Sequence, residues 1–358
     1  ATGEVPMRFG GLATILVALC AFGAGAAPTA AQAAGPACYA ALRYSDARRG
    51  VSVLILKNGK PICEGYSAQG GPEAGFEIWS GTKSFWGIAV AAAVQDGLLS
   101  LDEPVAKTVT EWAADPVKST VTLRQLLTLT SGLTSPPGRA MPFAEAVTWP
   151  FKAAPGEAFI YGASPYQVFG LVLQRKLAAA GRPSDPLSYL KARILDPIGL
   201  KPTDWRRAPN GDLLLPQGAV LTAREWVKFG EFVRARGVVG GKALVDPKTF
   251  DELFVGTKAN PAYGVTWWLP RPSNTPLAPT AAVDLSLHAS EVPSDMVVAG
   301  GAGDQRLYVV PSQGVTVVRQ AYFTPQMVLA VRAEAKAGNK WSDAEFAKLA
   351  LAAAAEVK

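Results

Sequence analysis

The chain has 358 residues, a formal net charge of +6, one histidine and three cysteines. So few histidines and thiols leave no ligand set for a zinc centre, and the basic surplus is scattered in pairs such as Arg48-Arg49 and Arg206-Arg207, with no nucleic-acid-binding motif beside them. This length exceeds what one hydrophobic core usually holds, so two lobes sharing a cleft are expected.

Met7-Arg8, an apolar run over residues 12–22 and the small-residue site Ala31-Gln32-Ala33 predict a secretory signal peptide behind a short extraneous start. Residues 1–33 are assigned to that start and signal, and residues 34–358 to an exported chain, periplasmic or secreted. The run is too short and too rich in Gly and Ala for a membrane span, and no later stretch approaches one. Leu19, ahead of Cys20, departs from the small residue that a lipidation signal wants. Cleavage near Ala33 leaves Cys38 and Cys63, which either pair in an oxidising compartment or pack as two buried thiols. Residues 51–56 and 62–66 read as strands around an Asn58-Gly59 hairpin turn. A helical, loop-rich middle follows. Then β-branched runs at 296–299, 306–310 and 314–319, separated by Gly- or Pro-containing turns, predict an antiparallel meander. Ser342-Asp343-Ala344-Glu345 has the pattern of a capping box and opens an Ala-rich terminal helix. The predicted fold is α+β: one antiparallel sheet built from distant segments, flanked by terminal helices, with an inserted all-helical lobe. The sheet lobe takes about 34–79 and 285–358, and the helical lobe about 80–284.

Ser80-Gly81-Thr82-Lys83 carries the chemistry. It sets a hydroxyl and an amine one turn apart, on one face if Ser80 opens a helix. Serine is a poor nucleophile until a base takes its proton, and lysine is that base only where its surroundings favour the neutral amine. A helix start disfavours the ammonium and favours a developing oxyanion. A second Ser-x-x-Lys, Ser188 to Lys191, lies in an amphipathic stretch where lysine is a solvated residue. Ser80 instead precedes residues 85–94, apolar nearly all round, which read as a buried helix with a nucleophile at its mouth.

Around this tetrapeptide the chain resembles the serine β-lactamase and penicillin-binding-protein superfamily, most closely its class C-like branch of family VIII-type esterases, D-amino-acid peptidases and nylon-oligomer hydrolases. The resemblance runs through Gly75 to Phe85, Leu101-Asp102-Glu103-Pro104, Val121 to Leu133, Pro155-Gly156-Glu157, Leu195 to Leu200, Tyr263 to Trp268 and Gly300-Gly301-Ala302-Gly303. It implies Ser80 as acylated nucleophile, Lys83 as its base and Tyr161 as a proton carrier. The second motif is partial: Tyr161-Gly162-Ala163 keeps the phenol and lacks the amide, with Ser164 as the nearest polar substitute. The third motif aligns with Ala299-Gly300-Gly301, without its cationic or imidazole member. Its backbone still implies an oxyanion hole from the N–H groups of Ser80 and Ala302, with Gly300 and Gly301 lining the substrate side.

A Ser–His–Asp mechanism finds no support, because Gly162-Ala163-Ser164-Pro165-Tyr166 lacks the second glycine of a nucleophile elbow and His288 lies in an unpatterned polar segment. The rival from another class is a ligand-binding domain that kept the fold and lost turnover. With the third-motif cation absent, small esters or amides are expected ahead of β-lactams and D-alanyl peptides. No metal, organic cofactor or nucleic-acid partner is called for.

Overall fold

Asn58 and Gly59 both take positive φ, 50° and 77°, as a two-residue hairpin turn requires, and they join β1 (Gly50–Lys57) to β2 (Lys60–Tyr66). The structure, a computed structural model, describes residues 35–275 and 283–357, so the signal segment predicted at 1–33 lies outside them. The late β-branched runs form β3 (Val297–Gly301), β4 (Gln305–Val310) and β5 (Val315–Ala321). All five strands make one antiparallel sheet in the order β2-β1-β5-β4-β3. Val53 lies opposite Arg319, so the hairpin from the start of the chain is inserted beside the last strand.

Five helices bear on the site: α1 (Pro36–Asp46), α2 (Lys83–Gln95), α3 (Ser164–Ala179), α4 (Ala223–Arg234) and α5 (Asp343–Ala355). The terminal pair α1 and α5 pack together on one face of the sheet, and α4 lies on the other. Alternation along β5 shows why. Thr316 and Gln320 bond to Glu231 of α4 and to the Leu221 carbonyl, while Arg319 between them points the opposite way to Ser45 of α1. With helices on both faces every residue of β4 and β5 is buried, so β-branched residues follow one another instead of alternating with polar ones. At the head of α5 the Ser342 side chain accepts from the Glu345 N–H, giving the N-cap half of the predicted capping box, while the Ser342 N–H donates to Tyr44 Oη instead of to Glu345.

α2 is buried from Lys83 through Ala93, because its apolar residues cover its whole circumference. Its start therefore opens out of the core. Among the described residues no helix is long and apolar enough to cross a membrane. Cys38 of α1 and Cys63 of β2 form a disulfide with Cα atoms 5.6 Å apart, which settles the choice between bridge and thiols. Closing that loop of 25 residues removes chain entropy from the unfolded state. The double variant C38A/C63A is expected to lose about 3 kcal/mol in urea denaturation. An unchanged midpoint with unchanged slope would show that the bridge contributes nothing.

Candidate active site

Ser80 does not open the α-helix directly. It sits in a 3₁₀ turn, Trp79–Thr82, and α2 begins at Lys83. This difference tightens the dyad, because side chains three residues apart eclipse one another in a 3₁₀ turn. Trp79 takes φ 48°, a conformation that L-residues rarely adopt, and its neighbours hold it there. The Ile78 N–H donates to the Ala219 carbonyl at 3.0 Å, and the Ala219 N–H donates back to Thr82 Oγ1 at 3.3 Å. The nucleophile turn is thus bonded on both sides to residue 219. From the third side comes β3: a Cβ built on Gly301 would lie 2.0 Å from the Ile78 carbonyl oxygen and 3.1 Å from the Gly81 nitrogen. Only glycine lets the strand approach so closely.

Lys83 Nζ donates to Ser80 Oγ at 3.0 Å and to the Pro216 carbonyl at 3.1 Å. The side chain is 4 % exposed, and among the described residues no carboxylate pairs with it. Burial therefore pushes its pKa down to about 7. Its nitrogen lies 4.8 Å from the centre of the Tyr161 ring and 5.4 Å from that of Tyr166. Two ring faces and one carbonyl hold the amine in place without restoring its charge as an acid partner would.

The Tyr161 ring stacks on Trp268 at 5.8 Å and meets Tyr263 edge-on at 6.4 Å. Its hydroxyl is buried without a hydrogen-bond partner among the described residues. Burial holds the phenol above its ordinary range, while the nearby Ser80 hydroxyl and the Arg306 charge pull the other way. A neutral phenol with no partner in the resting state suits a proton donor to a leaving group better than a resting base.

The remaining predicted residues are placed as follows. Ser164, at the first turn of α3, is fully buried and turns its hydroxyl to Met141 Sδ at 3.6 Å. Its backbone N–H donates to Ser135 Oγ at 2.8 Å. Gly300 and Gly301 end β3, and Ala302 starts the turn into β4. His288 sits at the surface, its Nδ1 2.6 Å from Glu291 Oε1. The Ser188 hydroxyl bonds Asp185 and Lys191 is exposed, as the solvated reading of that copy expects. The residue that sequence reasoning missed is Pro216. Its carbonyl serves the lysine, and a backbone oxygen leaves no mark in a side-chain motif. Among the described residues no group of three or more His, Cys, Asp or Glu is arranged to hold a metal ion.

The sequence profile of the Beta-lactamase family matches residues 36–336. The chain belongs to that family. "Protein flp" of Staphylococcus aureus is 30% identical over 178 residues, covering 44% of this chain and 36% of that protein. The chain therefore spans about a third of that relative's length. Among solved structures, EstCE1, a hydrolase with promiscuous acyltransferase activity, superposes with a TM-score of 0.60 at 17% identity, over 80% of this chain and 94% of that one. A D-stereospecific amidohydrolase from Streptomyces gives 0.58 at 17%, over 82% and 97%. At such identities the likeness is one of fold.

The lowered pKa of Lys83 fixes the sign of two pH dependences. Between about 7 and 10.5 the unfolded lysine carries a proton that the native one lacks, so this residue makes stability rise with pH across that window. The base role that the resemblance implies for Lys83 requires the neutral amine, so ester turnover is expected to climb through about pH 7 and then level off. A pH–rate profile that is flat from pH 6 to 9 would contradict this assignment. Lys83→Arg, whose cation does not deprotonate, is expected to lower kcat/KM by roughly 10³-fold or more.

Proposed function

We propose that the chain is an exported Ser–Lys–Tyr acyl hydrolase acting on small esters or amides. The observation that carries this reading is the 3.0 Å contact between Ser80 Oγ and a buried lysine nitrogen that has no acid partner among the described residues. Lys83 in its neutral form takes the Ser80 proton as Oγ attacks the substrate carbonyl. The oxyanion forms against backbone N–H groups, those of Ser80 and Ala302. Tyr161, a neutral phenol, hands its proton to the departing alcohol or amine and is reprotonated from the Lys83 ammonium; the amine, neutral again, takes a proton from water as its oxygen attacks the acyl carbonyl, and Ser80 recovers that proton as the acid is released. The predicted signal segment and the Cys38–Cys63 disulfide support export, since such bridges persist in oxidising compartments.

The third-motif position is alanine, so a substrate carboxylate finds no cation on β3 itself. This supports ranking small esters and uncharged amides above β-lactams. Amidase activity toward D-amino-acid derivatives is the second reading, favoured by the likeness to the Streptomyces amidohydrolase. A short-chain aryl ester and a chromogenic cephalosporin, assayed side by side, test the ranking. Faster ester turnover is expected, abolished in Ser80→Ala and in Lys83→Ala. Faster cephalosporin turnover would reverse the substrate order. Failure of a fluorophosphonate to label Ser80 would favour the binding-domain alternative.

A further inference from the structure

α5 begins with a buried carboxylate that collects donors from three directions. Asp343 accepts from Arg306 Nε at 2.7 Å, Tyr308 Oη at 2.6 Å, Trp341 Nε1 at 3.2 Å and the Asp284 N–H at 3.1 Å. Arg306 is 1 % exposed. The other arm of its guanidinium points towards the site: Nη1 donates to the carbonyls of Gly301 and Gln305, both at 3.0 Å. A Cβ on Gly300 would lie 3.5 Å from the same Nη1, so the cation comes up under the end of β3. A buried pair of this kind is a poor source of stability, since apolar residues of similar volume often do as well. Its position is more telling than its energy.

The Gly301 carbonyl and the Ala302 N–H belong to one peptide unit. That unit is planar and trans, so a donor fixing the carbonyl oxygen on one side aims the N–H to the opposite side. A charged donor on the oxygen also polarises the amide and makes its N–H a stronger donor. Gly301 touches the Ile78–Gly81 turn, which brings this peptide beside Ser80. Resting on the acyl-hydrolase reading above, we propose that Arg306 is a positioning residue that orients and strengthens the Ala302 N–H as the second oxyanion donor, anchored from behind by Asp343. The same charge favours negative charge at Tyr161, which places the guanidinium within electrostatic reach of the reacting groups.

The test compares wild type with Arg306→Lys, which keeps the charge and loses the fork, and with R306M/D343N, which removes both charges and leaves neither buried alone. Aryl-ester kcat and KM, inhibition by benzeneboronic acid as a tetrahedral probe, and Tm are measured for each. Expected is a kcat lower by about tenfold in R306K and about 100-fold in the double variant, the latter the loss seen on removing an oxyanion donor. KM should stay within roughly threefold and boronate inhibition should weaken in step with kcat. Folded variants with unchanged kcat and boronate affinity would overturn the proposal. So would an R306K chain that cannot fold, since the pair would then serve the fold alone. A wild type that neither turns over ester nor is labelled at Ser80 would sink the hydrolase reading, and this inference with it.

Discussion

A lysine buried beside a serine, with no acid among the described residues to neutralise it, is the constraint on which the rest of the site turns. Enclosure costs the ammonium its hydration, and one hydroxyl, one backbone carbonyl and two ring faces return only part of it. A single carboxylate in the box would restore the charge and remove the neutral amine that the proposed base role needs. The surroundings are composed accordingly: two aromatic faces, one backbone carbonyl and the apolar length of α2. Glu77 pairs with Arg206 at the surface, and Asp343 is bonded to Arg306.

Geometry at the serine comes from segments far apart in the chain. The 3₁₀ turn is bonded to residue 219 on both flanks and pressed by Gly301 from the sheet, while Pro216, three residues before Ala219, holds the lysine. One short stretch, 216–219, therefore positions both the Ser80 turn and Lys83. The unusual φ of Trp79 is tolerated because these contacts leave the turn no other path.

Much of this was legible in the sequence, for reasons that are local. Asn58-Gly59 demands a hairpin, the β-branched runs demand strands, and Ser342 with Glu345 marks a helix start; each observed boundary falls within about two residues of its expected place. The spacing of Ser80 and Lys83 implied their contact whether the turn was α or 3₁₀. Insertion of the first hairpin beside the last strand followed only as a general arrangement of distant segments, since pairing partners are not written in either strand. Three features had no sequence signal. The Pro216 carbonyl is main chain, the Ser164 hydroxyl turns to Met141 because α3 carries it into the core, and Arg306 hides in a run that reads as ordinary strand.

The order of strands also governs when the molecule can become whole. β1 is made early but its neighbour in the sheet, β5, is made near the end, and the glycine strand that presses on the serine turn arrives only shortly before it. Contacts of such long range form slowly, because the loop between them must be closed before they reward it. A nascent chain emerging from its N-terminus thus carries the Ser80 turn for most of its synthesis without the glycine strand that presses on it in the finished molecule.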